Sequence, residues 1–542
     1  EQLKPSIEDI PMSTRGSNTA FRVHEDIHHV IDHPGTLLHT TMQADSIYEP
    51  TTLKDAMKTE QHTEWMEAYN QEISNMLTSN TWKIVKRGDK KAIPTKIVFK
   101  VKYNHDRTID KYKIRFVAKG FKQIYGLDFE ETYSATPATA TIMLVFAIQT
   151  YYQLHLVQFD VSAAFLNAPI NEDIYIVPPE GQNKFDKDGD EIVFKLCKAM
   201  YGLKQSPRCW NECITKHIVK YDYRQSEHDQ CLFIHKTKGL TFMFVYVDDI
   251  VIISPDHEEA PRMKQAFLNH FRITEGKGES ILKLHRTVLE HSVRIDQKKY
   301  TEDLLAKFKM EEAKPTATPL PPGLSVPTRE PKETKANIPY RQLIGRLAYL
   351  ASHTRPDIAY AVSILSRYLD CYDETHFKLA KHVLRYLKGT VNHAVEYREA
   401  EDPHKVIKLS ASVDASYADI SESRRSTFGY VLFLNESPFH FKCKRSSMVC
   451  SSSTEAELIG LSECAKDLEF YRSYLNEMGL PQEGPTVVQE DNTGVIAIVQ
   501  RRSRSTGRSK HIAIRHCKLR EMVTHNVMKI IHQPTDKQTN TQ

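Results

Sequence analysis

The stretch Phe244–Ser254, FVYVDDIVIIS, sets two adjacent aspartates, Asp248 and Asp249, between runs of β-branched and aromatic residues. Such residues favour strands, and the short acidic break predicts a tight hairpin with its carboxylates at the bend. Asp-Asp also occurs in ordinary solvated turns. Here the flanks decide: TFMFVYV before and IVII after are continuously apolar, as in strands covered on at least one face, which puts the turn in a central sheet element. Two like charges fixed side by side on an apolar hairpin repel each other unless cations neutralise them. The pair is therefore a candidate divalent-metal site.

Around that hairpin the chain is 542 residues long, too long for one core, and should divide into roughly three or four domains. Its longest apolar run, Ile142 to Ile148, falls far short of the roughly 18 residues a membrane span needs, and no signal peptide opens it. A soluble, intracellular protein with no membrane partner is expected. The nine cysteines lie scattered without a CxxC pair, which argues against a disulfide framework and a zinc ribbon. Opening on Glu1 rather than Met fits either a segment excised from a polyprotein or an artificial boundary, and the sequence does not separate the two.

The net charge of +4 hides an uneven distribution. Between Lys83 and Lys122 there are 14 Lys and Arg against three Asp, a net of +11, so the remainder sums to −7. Interleaved with Ile97, Phe99, Val101, Ile114 and Phe116, these charges read as a basic hairpin with one apolar face, suited to gripping phosphates.

Residues 1–50 show no sustained period and read as a linker or weakly ordered arm. Trp65, Met66, Tyr69, Ile73, Met76 and Leu77 follow helical spacing, and a second helical or buried segment spans Ile142 to Tyr152. LHLVQFDVSAAFLNAP (154–169) reads as a strand ending at Asp160. The Pro-rich stretch 314–331 is a connector, and helices resume at Tyr340, with a break at Arg355-Pro356. From about Lys408 short strands (Ser412–Asp414, Gly429–Leu434) and a helix opened by a capping box, Ser452 to Glu455, and closed at Gly479 predict a separate α/β domain.

Asp160 is a third carboxylate for the hairpin pair, because two metals about 4 Å apart need carboxylates shared from different strands. FDVSAAFLN (159–167), YGLKQSPRCW (201–210) and YVDD (246–249), in this order and spacing, resemble the reverse transcriptase domain of copia-type LTR retrotransposon Pol polyproteins. TEWMEAYNQEI, YKIRFVAKGF and TRPDIAYAVSILSRY resemble the same family, so the likeness runs from about residue 50 to 535. It implies that Asp160 and Asp248 ligate two Mg2+ ions, with Asp249 contributing charge or positioning. It also implies that Phe165 is a steric gate selecting deoxynucleotides, and that Arg115 and Lys102 hold the triphosphate. Tyr201, Gly202, Gln205 and Pro207 match a loop supporting nucleotide and template. One departure falls before the thumb, where the family reads FLG and this chain has ILKLHRT (281–287).

The C-terminal part resembles the family's RNase H, whose four acids bind two metals. Asp414 in SVDASYAD, Glu457 in SSSTEAEL and Asp491 in QEDNTG match three of them. The fourth is Ala513, in KHIAIR where the family has KHIDIR, and a methyl group cannot ligand a cation. Little or no nuclease activity is expected, the alternative being that a nearby acid such as Glu521 substitutes. The basic segment holding Arg501, Arg502, Arg504, Arg508, Lys510 and Arg515 would still hold a duplex.

The resemblance implies an α+β fold, a right-hand polymerase with fingers and palm in 51–260, thumb and connection in 261–400 and an RNase H-like domain in 401–542. The implied activity is RNA- and DNA-directed DNA synthesis on a primer–template duplex or RNA–DNA hybrid with dNTP. Integrase or a second copy is the implied protein partner, and the location is the cytoplasm, within virus-like particles, with nuclear entry of the product complex. The alternatives are a non-catalytic, nucleic-acid-binding half of a dimer and a template-independent terminal transferase.

Overall fold

The structure is a computed structural model that describes residues 48–103, 108–324, 338–402, 404–418, 424–500 and 510–534. The expected N-terminal arm, but for its last three residues, lies outside the described residues, as do Arg501, Arg502, Arg504 and Arg508. Among the described residues no helix is long and apolar enough to cross a membrane.

Helix His62–Thr78 buries one stripe, Trp65, Tyr69, Glu72 and Met76. Leu77, expected on that stripe, is exposed, and the carboxylate of Glu72 takes a place there. The stripe packs on the basic hairpin, strands Thr95–Tyr103 and Ile109–Ala118, which pair antiparallel with Val98 opposite Arg115. Strand alternation turns Ile97, Phe99, Val101, Ile114 and Phe116 inward and leaves Lys100, Lys102 and Lys111 in solvent. Trp65 locks the two together, edge-on to Phe99 and Tyr112 at 5.4 and 4.7 Å between ring centres.

The acidic hairpin occupies the middle of a six-stranded antiparallel sheet, in the order Ile273–Gly276, His155–Val161, Asp249–Ser254, Phe242–Tyr246, Leu232–His235, Tyr223–Gln225. The flanks of the two aspartates are apolar throughout because both faces are covered. Phe242, Phe244, Val251 and Ile253 pack with helix Thr139–Tyr151, which is buried from Ala140 to Tyr151. Met243, Val245, Ile250 and Ile252 pack on the other face with Trp210, Ile214 and Ile218 of helix Ser206–Ile218 and with Met263 and Phe267 of helix Glu259–Leu268.

A four-stranded sheet follows, Ser280–Ile281, Leu284–Val288, Ser292–Asp296 and Val395–Arg398, with a helical cluster built from Lys298–Lys307, Tyr340–His353, Ala359–Ser366 and Glu374–Gly389. The expected break at Arg355-Pro356 is a short 3-10 turn. Arg355 is buried there and forks onto Asp357 at 2.7 Å.

The C-terminal sheet has five strands, in the order Ser437–Val449, Arg425–Leu434, Leu409–Ser416, Thr486–Glu490, Met528–His532, with helix Ser453–Glu477 against it. The strands expected at 412–414 and 429–434 are longer than the sequence suggests. Ser452 caps the helix through the Glu455 N–H, but Glu455 reaches back to the N–H of Ser451 rather than to that of Ser452. At its far end Glu477 accepts from Arg224 (2.6 Å), the Ser226 hydroxyl (2.7 Å) and the Glu227 N–H (3.0 Å) and contacts His228 Nδ1 (2.7 Å), all at the edge of the central sheet. The His228 ring stacks on Tyr474 at 5.0 Å. These contacts latch the C-terminal domain to the central sheet.

Candidate active site and a second acidic group

Two turn residues, Val247 and Asp248, close the acidic hairpin, and Asp249 already belongs to the returning strand, opposite Tyr246. Val247 has φ +53°, a region a β-branched residue enters at a cost. Its carbonyl accepts the indole N–H of Trp210. On the other side Asp249 is in register with Asp160, and the Val161 N–H donates to the Asp248 carbonyl at 2.7 Å. Backbone pairing therefore brings all three carboxylates to one end of the sheet.

Electrostatics agree with that crowding. Asp249 is pushed up to about 6, first by burial and then by Asp248 and Asp160, against a hydrogen bond from Gln158 Nε2 at 3.0 Å. Asp160 is raised by partial burial and by Asp248, and held back by Lys113, Lys102 and Lys111 of the basic hairpin. The basic hairpin thus faces the acidic one.

Between them stands an aromatic and cationic stack. The Arg115 guanidinium lies over the Tyr201 ring at 4.9 Å, and Tyr201 meets Phe165 edge-on at 5.2 Å. Arg115 Nε is buried without a partner. Burial holds Tyr201 up near 12, with Arg115 opposing and Glu72, Asp248 and Asp160 adding to the rise. Lys102, paired with Lys111, is exposed at the outer end of the hairpin.

The remaining loop residues act as scaffold. Gly202 has φ +90°, and a Cβ there would lie 2.2 Å from the Ala118 carbonyl, so only glycine lets this loop sit on the basic hairpin. Gln205 is buried, accepts from Gln123 Nε2 and donates to the Asp128 carbonyl, both at 2.9 Å. Pro207 stands in the first turn of its helix, where it costs no hydrogen bond.

The three carboxylates suit a divalent cation. They offer oxygen donors only, the hard set Mg2+ takes, and none of them makes an ion pair with Lys or Arg among the described residues.

In the C-terminal sheet, ligand oxygens of Asp414, Glu457 and Asp491 lie within 4.8 Å of one another, the one such group of three among the described residues. Parallel pairing of Ser412 with Gln489 puts Asp414 and Asp491 two residues further along neighbouring strands, and Glu457 approaches from the helix above. Burial raises Asp414, with Asp491 adding to it. Glu457 is pushed up to about 9 by burial, then by Glu490, Asp414 and Asp491. Residue 513 lies on helix Lys510–Thr524. Glu521, considered as a substitute acid, is exposed and outside the group.

Four residues at these sites were missed in the sequence. Gln158 and Lys113 sit in alternating strand patterns that made them look like surface positions. Lys113 is half-buried and is lowered to about 8 by burial and by Arg115, Lys102 and Lys111. Glu72 carries a readable signal, an acid at helical spacing from Trp65, Tyr69 and Met76. Glu490 stood next to Asp491 in QEDNTG and was passed over for its neighbour.

Residues 79–322 match the family described as reverse transcriptase (RNA-dependent DNA polymerase). The retrovirus-related Pol polyprotein from transposon RE1 of Arabidopsis thaliana is 32% identical over 519 residues, 93% of this chain and 34% of that protein. The chain thus spans about a third of the length of that relative. A putative transposon Ty5-1 protein of Saccharomyces cerevisiae is 32% identical over 316 residues, 57% of this chain and 100% of its own length. A foamy viral protease-reverse transcriptase solved in complex with dsDNA overlaps 96% of this chain and 95% of its own, with a TM-score of 0.44 and 11% identity.

Proposed function

This chain belongs to the reverse transcriptase (RNA-dependent DNA polymerase) family of copia-type retrotransposon Pol polyproteins, and we propose that it extends a primer on an RNA or DNA template at Asp160, Asp248 and Asp249. The observation that carries this reading is the register of Asp160 with Asp249 across two central strands, with Asp248 in the adjoining turn. Two Mg2+ ions held by these carboxylates would activate the primer 3′-hydroxyl and neutralise the departing pyrophosphate.

The chain's own groups do the positioning. Arg115, aimed by the Tyr201 ring, offers a fork for phosphate oxygens, and the hairpin lysines 102, 111 and 113 add charge where a triphosphate would approach. Phe165, packed edge-on against Tyr201, would lie under the sugar and leave no room for a 2′-hydroxyl. Primer extension by the unmutated chain and by Asp248→Asn tests the reading. Extension is expected only from the former. Equal extension overturns the assignment, and none from either favours a non-catalytic, nucleic-acid-binding half of a dimer.

For the C-terminal domain we propose an RNase H fold with weak cleavage of RNA–DNA hybrids, because Ala513 supplies no ligand. Ala513→Asp should raise hybrid cleavage well above that of the unmutated chain. Equal cleavage would show that the position does not limit the reaction.

A further inference from the structure

Next to the C-terminal acidic group the chain carries a carboxylate that its resemblance to the family does not provide. Glu490 ends strand Thr486–Glu490, directly before Asp491, with its side chain on the buried face of the strand. It is 0% exposed. One oxygen, Oε1, accepts the Asn492 N–H at 3.1 Å, while Oε2 is buried without a partner. Glu457, 5% exposed, has the same feature, a buried Oε2 with no hydrogen bond.

Neither Glu457 nor Glu490 makes an ion pair among the described residues. Of the charges near Glu457, that of Glu490 bears on it most strongly, ahead of Asp414 and Asp491. Unpartnered carboxylate oxygens in a dry interior are expensive unless something cationic completes them. One such oxygen belongs to Glu457, inside the group of three acids whose ligand oxygens lie within 4.8 Å of one another, and the other to Glu490, which directly precedes Asp491 of that group and lies outside it.

We propose that Glu490 stands directly behind a divalent-cation site formed by Asp414, Glu457 and Asp491, an acid outside the ligand set that supplies the negative charge the chain lacks at Ala513. The proposal rests on reading this group as a cation site. The cation belongs to the hard, oxygen-binding class, Mg2+ or Mn2+. Cation binding and hybrid cleavage then separate: three ligands and a fourth charge behind them hold the ion, but the fourth charge is not at the position from which the family draws its own.

The test is Mn2+ binding to the full chain carrying Asp160→Asn and Asp248→Asn, which removes the other acidic group. Binding is read from loss of the free-ion EPR signal and from the rise of melting temperature with Mn2+. In that background Glu490→Gln should weaken Mn2+ by about tenfold or more, as neighbours of a metal's ligands do, and blunt the Mn2+-dependent rise in melting temperature. Its melting temperature in EDTA should hold or increase, since an unpartnered buried carboxyl is gone. Glu490→Asp, which keeps the charge, should retain binding, and exposed Glu521→Gln should leave it unchanged. Equal Mn2+ affinity in Glu490→Gln overturns the role of Glu490, as does a large fall in its melting temperature in EDTA. Absence of Mn2+ binding by the background chain overturns the cation reading of the whole group, a separate failure.

Discussion

Gln158 donates to Asp249 diagonally across the strand pair, Nε2 to Oδ1 at 3.0 Å, from a position opposite Val251. It lies flat over the neighbouring strand because Gly276 stands opposite it, where a Cβ would come within 2.9 Å of the Gln158 Oε1. This amide is the one neutral donor on a carboxyl otherwise lifted by burial and by two acids.

Removing that donor should move the pH dependence of the reaction. Asp249 titrates near 6 in the cation-free protein, so Gln158→Leu should raise it further and shift the acid limb of primer extension to higher pH. The sign for stability is the reverse of the usual carboxylate. A folded value above the ordinary 3.8 means that, without cation, this group's contribution declines as pH rises from about 4 to about 6. Rate–pH profiles at fixed Mg2+ check the first point, and an acid limb unmoved in Gln158→Leu counts against Asp249 as the titrating group.

Gly202→Ala should unseat the loop from the basic hairpin. The new methyl would meet the Ala118 carbonyl at 2.2 Å and Val117 Cγ1 at 2.5 Å, at φ +90°. A loss of about 2 kcal/mol or more is expected from the backbone clash, with weaker nucleotide binding because Tyr201 and Arg115 move with the loop. Thermal melting and the KM for dNTP measure the two effects.

Glu477→Gln should loosen the latch. Burial alone would raise this carboxyl, but the donors Ser226, His228, the Glu227 N–H and Arg224 outweigh it and hold it down at about 2. Its contribution is therefore complete above the ordinary value of 4.5 and is lost as pH falls from there toward 2. At neutral pH the substitution should cost about 1.5–3 kcal/mol, the range for a hydrogen bond to a charged group. Calorimetry should show the C-terminal domain melting apart from the central sheet in the variant, and a single unchanged transition would argue against a latch.

Lys283→Gly should stabilise the chain. Leu282 and Lys283 form the two-residue turn between Ile281 and Leu284, with φ +56° and +65°, which side-chain-bearing residues rarely adopt. The family reads glycine in the FLG motif that ILKLHRT replaces, and restoring it should add about 1 kcal/mol by relieving that conformation. Urea unfolding decides it, an unchanged midpoint being the contrary result.

What could be read from the sequence followed from short-range chemistry. Asp248 and Asp249 between apolar flanks, the alternation of lysines with Ile97, Phe99 and Val101, and the Ser452 cap are local patterns, and the fold expresses each of them. Long-range closure was harder to see. That Asp160 would face Asp249 needed a resemblance to supply the pairing, since nothing local fixes strand register. Glu477 reads as one more acid near a helix end, and its partners lie about 250 residues away. Glu490 looked like the flank of a better candidate because the burial of an acid leaves no local mark in the sequence.

The latch at Glu477 also bears on length. The central acids and the C-terminal acids belong to separate sheets, and these contacts hold the two sheets together. If a duplex made at one group threads past the other, the number of base pairs between them is set by the protein. Such a chain would be a ruler laid along its own product, with His228 and Tyr474 at the rivet that keeps its marks apart.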